Sequence, residues 1–162
     1  MIGHVLTYEG GGRYALQRVG TLRVAGAWSG ATARAGDTSW QFVGSGTWSL
    51  RRNATASDAA GNLIGDYRRR GQRLRWSGRE LQFRRASRWP TLGWRALFSV
   101  GARYVLADGE RTFAVVHERM ERSHHPVDIE VSDAGVLDPG LLLFLAFLVG
   151  WLDERDRNND GL

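Results

Sequence analysis

The strongest constraint on the fold of this 162-residue chain is a run of apolar residues near its C-terminus. After Pro139-Gly140 the sequence reads LLLFLAFLVGWL as far as Leu152, and acidic residues follow from Asp153. Asp138 and Pro139 form a typical helix start, because aspartate caps the first turn and proline fits its first position. The pattern predicts a helix over 139–152 that has no polar face and must therefore be surrounded on every side.

Either lipid or protein could surround this helix. A helix over 139–152 is about 21 Å long at about 1.5 Å per residue, whereas a bilayer core is about 30 Å thick. Burial of its ten large apolar side chains is worth on the order of 20 kcal/mol, at about 2 kcal/mol each. We therefore expect the helix in the protein interior, and a membrane anchor through 139–152 is the alternative.

Most of the remaining chain has the pattern of short strands that are separated by turns rich in glycine. In the segment 72–77, for example, Leu74 and Trp76 fall on one face while Arg73 and Arg75 fall on the other, as in a half-buried antiparallel strand. The predicted strands are 2–8, 13–19, 21–28, 38–43, 46–52, 62–68, 72–77, 79–85, 93–100, 102–107, 111–117 and 126–131.

About a dozen short antiparallel strands can close on themselves around one central helix. The fold prediction is thus a mainly β protein, with a single antiparallel β-barrel that encloses the C-terminal hydrophobic α-helix. The barrel takes in residues 1–153, with the core helix at 139–152. Residues 154–162 are expected to form a solvated acidic tail.

The composition excludes several kinds of chemistry. The chain has no cysteine, which excludes disulfides, thiolate metal sites and cysteine nucleophiles, and all 22 basic residues are arginine, which excludes catalytic lysines. His124-His125 with Asp128 matches no standard metal-ligand spacing. We expect no enzyme activity, no cofactor and no metal. The N-terminal residues lack the features of a secretory signal, so a cytoplasmic location is expected, with binding to the inner face of the membrane.

Charge is unevenly distributed along the chain. Residues 51–103 contain thirteen arginines and three acids, a net charge of +10, whereas residues 104–162 contain five arginines and twelve acids, a net charge of −7. Arginine matches phosphate geometry and stays charged at any physiological pH. The candidate anion-binding or lipid-binding residues are Arg68, Arg69, Arg70, Arg73, Arg75, Arg84, Arg85 and Arg88. The alternative is a solvated barrel face whose arginines pair with acids such as Glu118, Glu121 and Glu130.

Three segments together resemble a known family. The segment DAAGNLIG over 58–65 is similar to a family hairpin, 98–116 to later paired strands, and 127–151 to a final strand followed by a buried helix. The family is the tubby C-terminal-like superfamily, in its LURP-one-related and phospholipid scramblase branch. The resemblance spans 50–152 and implies a twelve-stranded barrel around the helix. The chain lacks the cysteine-rich segment and the proline-rich extension of scramblases, so scramblase activity is not expected.

The resemblance also bears on function, because tubby-like domains include phosphoinositide binders. The expected function is that of a non-enzymatic intracellular barrel that binds anionic phospholipid headgroups through its arginine-rich outer face. One alternative is a nucleic-acid-binding barrel that uses the same arginines, with affinity that falls steeply with salt. Another is a purely structural or interaction domain. The oligomeric state stays open.

Overall fold

The computed structural model describes residues 2–45, 52–86, 103–119, 124, 126–132 and 137–159, with the backbone alone for 155–159. These residues contain twelve strands, one short 3-10 turn and one α-helix. The strands are β1 Ile2–Gly10, β2 Arg13–Leu16, β3 Gly20–Val24, β4 Gly30–Ala35, β5 Thr38–Ser45, β6 Asn53–Asp58, β7 Leu63–Arg68, β8 Arg73–Trp76, β9 Arg79–Arg85, β10 Arg103–Asp108, β11 Arg111–Glu118 and β12 Val127–Val131. The 3-10 turn is Gly26–Trp28, and the helix α1 is Pro139–Asn159.

The twelve strands form one closed antiparallel barrel. Each strand pairs with its neighbours in the chain, and β1 closes the barrel by pairing with β12, where Ile2 lies opposite Val131 and Val5 opposite Asp128. Along most strands buried and exposed residues alternate, as in β8, where Leu74 and Trp76 are buried. The predicted fold class is therefore confirmed.

The apolar part of α1 lies inside this barrel. Residues 143–149 are each fully buried. The ring of Phe144 lies 5.0 Å from that of Phe42 on β5 and 5.6 Å from that of Trp76 on β8, measured between centroids. Phe147 contacts Phe42 and Trp28. Protein therefore surrounds the helix, as its all-round apolarity predicted. Among the described residues, no helix is long and apolar enough to cross a membrane.

The start of α1 is held by one aspartate. Asp138 Oδ1 accepts the backbone N–H of Leu141 at 2.8 Å, which is the predicted N-cap. The other oxygen of the same carboxylate, Oδ2, accepts the indole N–H of Trp76 at 2.6 Å. The cap thus also ties the helix to the end of β8, and the predicted start of the helix is confirmed.

Several element boundaries differ from the predicted ones. The strands β4 and β6 were not predicted, and the predicted strands 46–52 and 93–100 lie outside the described residues, apart from Arg52, which precedes β6. The predicted strand 21–28 divides into β3 and the 3-10 turn, because Ala27 and Trp28 adopt a positive φ of 55°. The helix ends at Asn159 instead of Leu152, since no proline or glycine interrupts 153–159. It therefore includes the first part of the predicted tail 154–162.

Candidate anion-binding site

The hairpin of β7 and β8 places a group of charged side chains on the outer face of the barrel. Arg68 lies directly opposite Arg73, and Asp66 lies opposite Arg75. The residues that alternate with them, Tyr67 and Leu74, are buried in the core. The alternation that gives each strand one apolar face therefore also gives the hairpin a charged outer face.

The turn between β7 and β8 adds one more arginine. Gln72 N–H donates to Arg69 O at 3.1 Å, and both Gly71 and Gln72 have positive φ, at 81° and 52°. Glycine adopts this conformation at no steric cost, which makes the tight reversal possible. Arg70 lies in this turn, next to the pair of Arg68 and Arg73.

These residues surround a cleft of about 330 Å³, which we call the basic cleft. The described residues of its lining are four arginines, one acid and the turn glycine: Asp66, Arg68, Arg70, Gly71, Arg73 and Arg75. The formal charge of these six residues is 4 − 1 = +3. Guanidinium groups present several N–H donors in a planar fork that suits phosphate oxygens. The cleft therefore has the charge and the donors of an anion-binding site.

The acids beside the basic cleft hold its arginines loosely. Arg68 Nε is 3.7 Å from Asp66 Oδ2, Arg73 Nε is 3.8 Å from Glu80 Oε1, and Arg75 Nε is 3.7 Å from Glu80 Oε2. All three distances exceed those of good N–H···O hydrogen bonds. The three arginine side chains are 63%, 65% and 61% exposed, and ion pairs of this kind contribute little to stability. An incoming anion can therefore displace these carboxylates at low cost.

Three more of the predicted arginines, Arg69, Arg84 and Arg85, are described by the structure and do not line the basic cleft. Arg84 is exposed on β9, opposite Val105 of β10. Arg69 and Arg85 take part in other interactions, and Arg88 lies outside the described residues. Of the eight candidates, the structure thus brings together Arg68, Arg70, Arg73 and Arg75.

The acids that were expected to neutralise this face are placed differently. Glu118 is buried, with 7% of its surface exposed, and Glu130 lies 3.8 Å from His117 on the neighbouring strand. Glu121 lies outside the described residues. The partners of the cleft arginines are Glu80 and Asp66 instead, because the two-residue turn Ser77-Gly78 places Glu80 directly opposite Arg75. Counting across that turn could have identified Glu80 from the sequence.

A second cleft lies beside the first and shares Arg73 with it. This acidic cleft has a volume of about 260 Å³, and its lining comprises one arginine, two acids and four uncharged residues: Arg73, Glu80, Leu81, Gln82, Ala107, Asp108 and Gly109. The formal charge of the lining is 1 − 2 = −1. The outer surface near β8 therefore carries two adjacent clefts of opposite charge.

In the described part of the chain, no group of three or more His, Cys, Asp or Glu residues could hold a metal ion. The ring of His124 stacks on that of Tyr8 with 3.7 Å between centroids. Comparisons with protein-family models, with curated proteins and with solved structures returned no significant match.

Proposed function

We propose that this protein binds the phosphate groups of anionic phospholipid headgroups at the basic cleft. The observation that carries the proposal is the lining of that cleft, where the described residues include four arginines and one acid, and where Glu80 is the only other acid paired with them in the described part of the chain. Phosphate carries the opposite charge and accepts several hydrogen bonds from guanidinium groups at once. The cleft opens on the outer face of the barrel, where a surface as large as a membrane can reach it.

The register of β7 and β8 brings like charges together at the basic cleft. Arg68 and Arg73 lie directly opposite each other, and like charges in this position destabilise a sheet. Arg13 and Arg23 are opposed in the same way on β2 and β3, but of these two pairs it is Arg68 and Arg73 that line the cleft. A bound anion between the guanidinium groups of Arg68 and Arg73 would compensate for their repulsion, and local costs of this kind are typical of functional sites.

Membership of the tubby C-terminal-like superfamily is part of the same proposal. A closed barrel of twelve strands around an apolar helix agrees with the fold that the sequence resemblance implies. We further propose that the protein is non-enzymatic and acts at the inner face of the membrane. Support for this comes from the basic cleft and from the resemblance.

Vesicle sedimentation tests the proposal. The protein should sediment with phosphatidylcholine vesicles that contain phosphatidylglycerol and stay in solution with phosphatidylcholine alone. The double substitution Arg73→Glu and Arg75→Glu should weaken this binding about tenfold or more, which corresponds to about 1.4 kcal/mol. The melting temperature should fall by only a few degrees: the replaced side chains are exposed, but the new carboxylate at position 75 lies opposite Asp66 and Glu80.

The matched control is the double substitution Arg13→Glu and Arg23→Glu. These two residues are also exposed and directly opposed, on β2 and β3, and their replacement changes the net charge by the same amount. The control should keep most of the binding. No dependence on anionic lipid at low salt would contradict the proposal, and so would equal losses in both variants. Retention of DNA or RNA without any binding to vesicles would favour the nucleic-acid alternative.

A further inference from the structure

The two adjacent clefts have features that a site for phosphate alone does not need. Arg73 lines both clefts. The basic cleft contains further arginines, and the acidic cleft contains the carboxylates of Glu80 and Asp108. A simple anion would use only the basic cleft. The acidic cleft, which shares Arg73 with the basic cleft, offers a place for a positive charge beside the anion.

We propose that the ligand is a phosphate ester that carries an ammonium group close to its phosphate. The basic cleft takes the phosphate, and the acidic cleft takes the ammonium group. This inference rests on the proposed function and specifies the headgroup chemistry that the site selects. Both a lipid headgroup and a free phosphate ester of an amino alcohol have this chemistry.

Glu80 is the residue that makes the site selective. Its two carboxylate oxygens lie 3.8 Å from Arg73 Nε and 3.7 Å from Arg75 Nε, so one side chain balances both arginines. A phosphate bound in the basic cleft would draw the guanidinium groups of Arg73 and Arg75 towards itself. Glu80 would then lose the two cations that balance its charge. A ligand without an ammonium group would then leave the carboxylate facing the phosphate, and the two like charges would repel. A ligand ammonium group would replace the lost cations, so the same residue attracts one ligand and rejects the other.

Calorimetric titration of the whole protein with two matched ligands tests this inference. The ligands are 2-aminoethyl phosphate and propyl phosphate, which have similar size and differ in an ammonium group against a methyl group. The wild-type protein should bind 2-aminoethyl phosphate about two to five times more tightly, as expected for one exposed ion pair. In Glu80→Gln the preference should shrink, because Asp108 is then the remaining carboxylate among the described lining residues, and in the double variant Glu80→Gln with Asp108→Asn the two affinities should become equal. Propyl phosphate should bind to Glu80→Gln at least as tightly as it binds to the wild type.

The control substitution is Glu9→Gln on β1, far around the barrel from β8, and it should keep the preference. Vesicles distinguish the two sources of the ligand. If the source is a lipid, phosphatidylglycerol vesicles with added phosphatidylethanolamine should bind more protein than those with added phosphatidylcholine, because a primary ammonium group can donate hydrogen bonds to the carboxylates of Glu80 and Asp108 whereas the quaternary group of phosphatidylcholine has no N–H. A preference limited to the soluble ligands would identify a free phosphate ester as the source.

The failures of the two proposals are distinguishable. Equal affinity of the wild type for both soluble ligands, together with equal binding to both kinds of vesicle, would overturn the inference and leave the basic cleft as a general anion site. A preference that is undiminished in the double variant Glu80→Gln with Asp108→Asn would also overturn it. No binding of any phosphate or anionic vesicle would overturn the proposed function and this inference together.

Discussion

Glycine residues facing tryptophan rings allow the helix to fit inside the barrel. A Cβ atom on Gly150 would overlap the ring of Trp28, and one on Gly140 would lie 2.7 Å from Cε2 of Trp40. On the barrel side, a Cβ atom on Gly44 would overlap the ring of Trp151. Glycine inside a helix costs about 1 kcal/mol relative to alanine, but here alanine has no room.

The substitution Gly150→Ala separates these two effects. Helix propensity alone would make the variant more stable, whereas overpacking against Trp28 should lower the free energy of unfolding by about 1–3 kcal/mol. Urea unfolding measures the difference. Gly3→Ala is the control, since a Cβ atom there would meet nothing within 4 Å. A Gly150→Ala variant as stable as the wild type would contradict the tight packing of the helix.

The hairpin of β6 and β7 depends on the charge of Asp58. Its Oδ1 accepts the backbone N–H groups of Ala60 at 3.0 Å and Asn62 at 2.9 Å, and its Oδ2 accepts the side-chain amide of Asn62 at 3.0 Å. The hydrogen bond from the Asn62 side chain is the largest cause that lowers the pKa of Asp58 below its ordinary value of 3.8, and the bonds from backbone N–H groups add to it. Folding therefore favours the charged carboxylate.

The lowered pKa of Asp58 predicts how the stability of the folded protein changes with pH. The stabilising contribution of Asp58 is complete above pH 3.8 and is lost as the pH falls through the lower pKa of the folded protein. The variant Asp58→Ala should melt below the wild type at neutral pH, and the gap should narrow in acid below pH 3.8. Thermal melts of the wild type and of Asp58→Ala at each pH measure this gap in melting temperature. A gap that stays constant or widens in acid would be inconsistent with this role.

At the scale of elements, the start of the helix is coupled to the sheet through Asp138. Replacement of Asp138 by alanine removes the cap on Leu141 N–H and the acceptor of Trp76 Nε1–H together. The expected loss is about 2 kcal/mol or more, since a cap is worth about 1 kcal/mol and a buried unpaired donor costs about 1–3 kcal/mol. Asp138→Ser keeps a capping oxygen that is too short to reach the indole, so it should lose less. Urea unfolding of the two variants should rank them in this order, and wild-type stability in both would refute the coupling.

The strands that the sequence did not predict have small residues on their inner faces. Ala31 and Ala33 of β4 and Ala54 and Ala56 of β6 are buried, although their segments show little hydrophobicity. The space in front of β4 and β5 is taken by α1 and by large rings such as Phe42, so small side chains fit the barrel wall. A search for alternating large apolar residues misses such strands, because the apolar volume they need comes from the helix.

The candidate site was predictable in part. Alternation in β8 places Arg73 and Arg75 on the outer face, and the hairpin register brings Arg68 to the same place. The selection of Arg70 depends on the shape of the turn. The exclusion of Arg84 depends on where β8 begins, because Gln82 already lies opposite Arg73, the first residue of that strand. Local sequence patterns contain neither, so the clefts themselves became visible only in the structure.

At the scale of the whole molecule, the helix determines where function can lie. Its apolar side chains fill the centre of the barrel, where Phe144 and Phe147 pack on rings from the strands. Both charged clefts among the described residues lie on the outside, next to the short strand β8. The fold thus keeps the stabilising apolar contacts in the interior and the proposed binding site on the surface, so Arg73 and Arg75 can be exchanged without disturbing the core.

The enclosure of the helix can be measured with one introduced thiol, since the chain has no cysteine of its own. Ala146, in the middle of the apolar run, is fully buried, and Ala59, in the turn after β6, is exposed. In Ala146→Cys the thiol should resist a maleimide in the folded protein without any lipid and react once urea unfolds the chain, whereas Ala59→Cys should react at once. Rapid labelling of Cys in the folded Ala146→Cys variant, or protection that requires detergent or lipid, would place the helix outside the barrel and contradict the account.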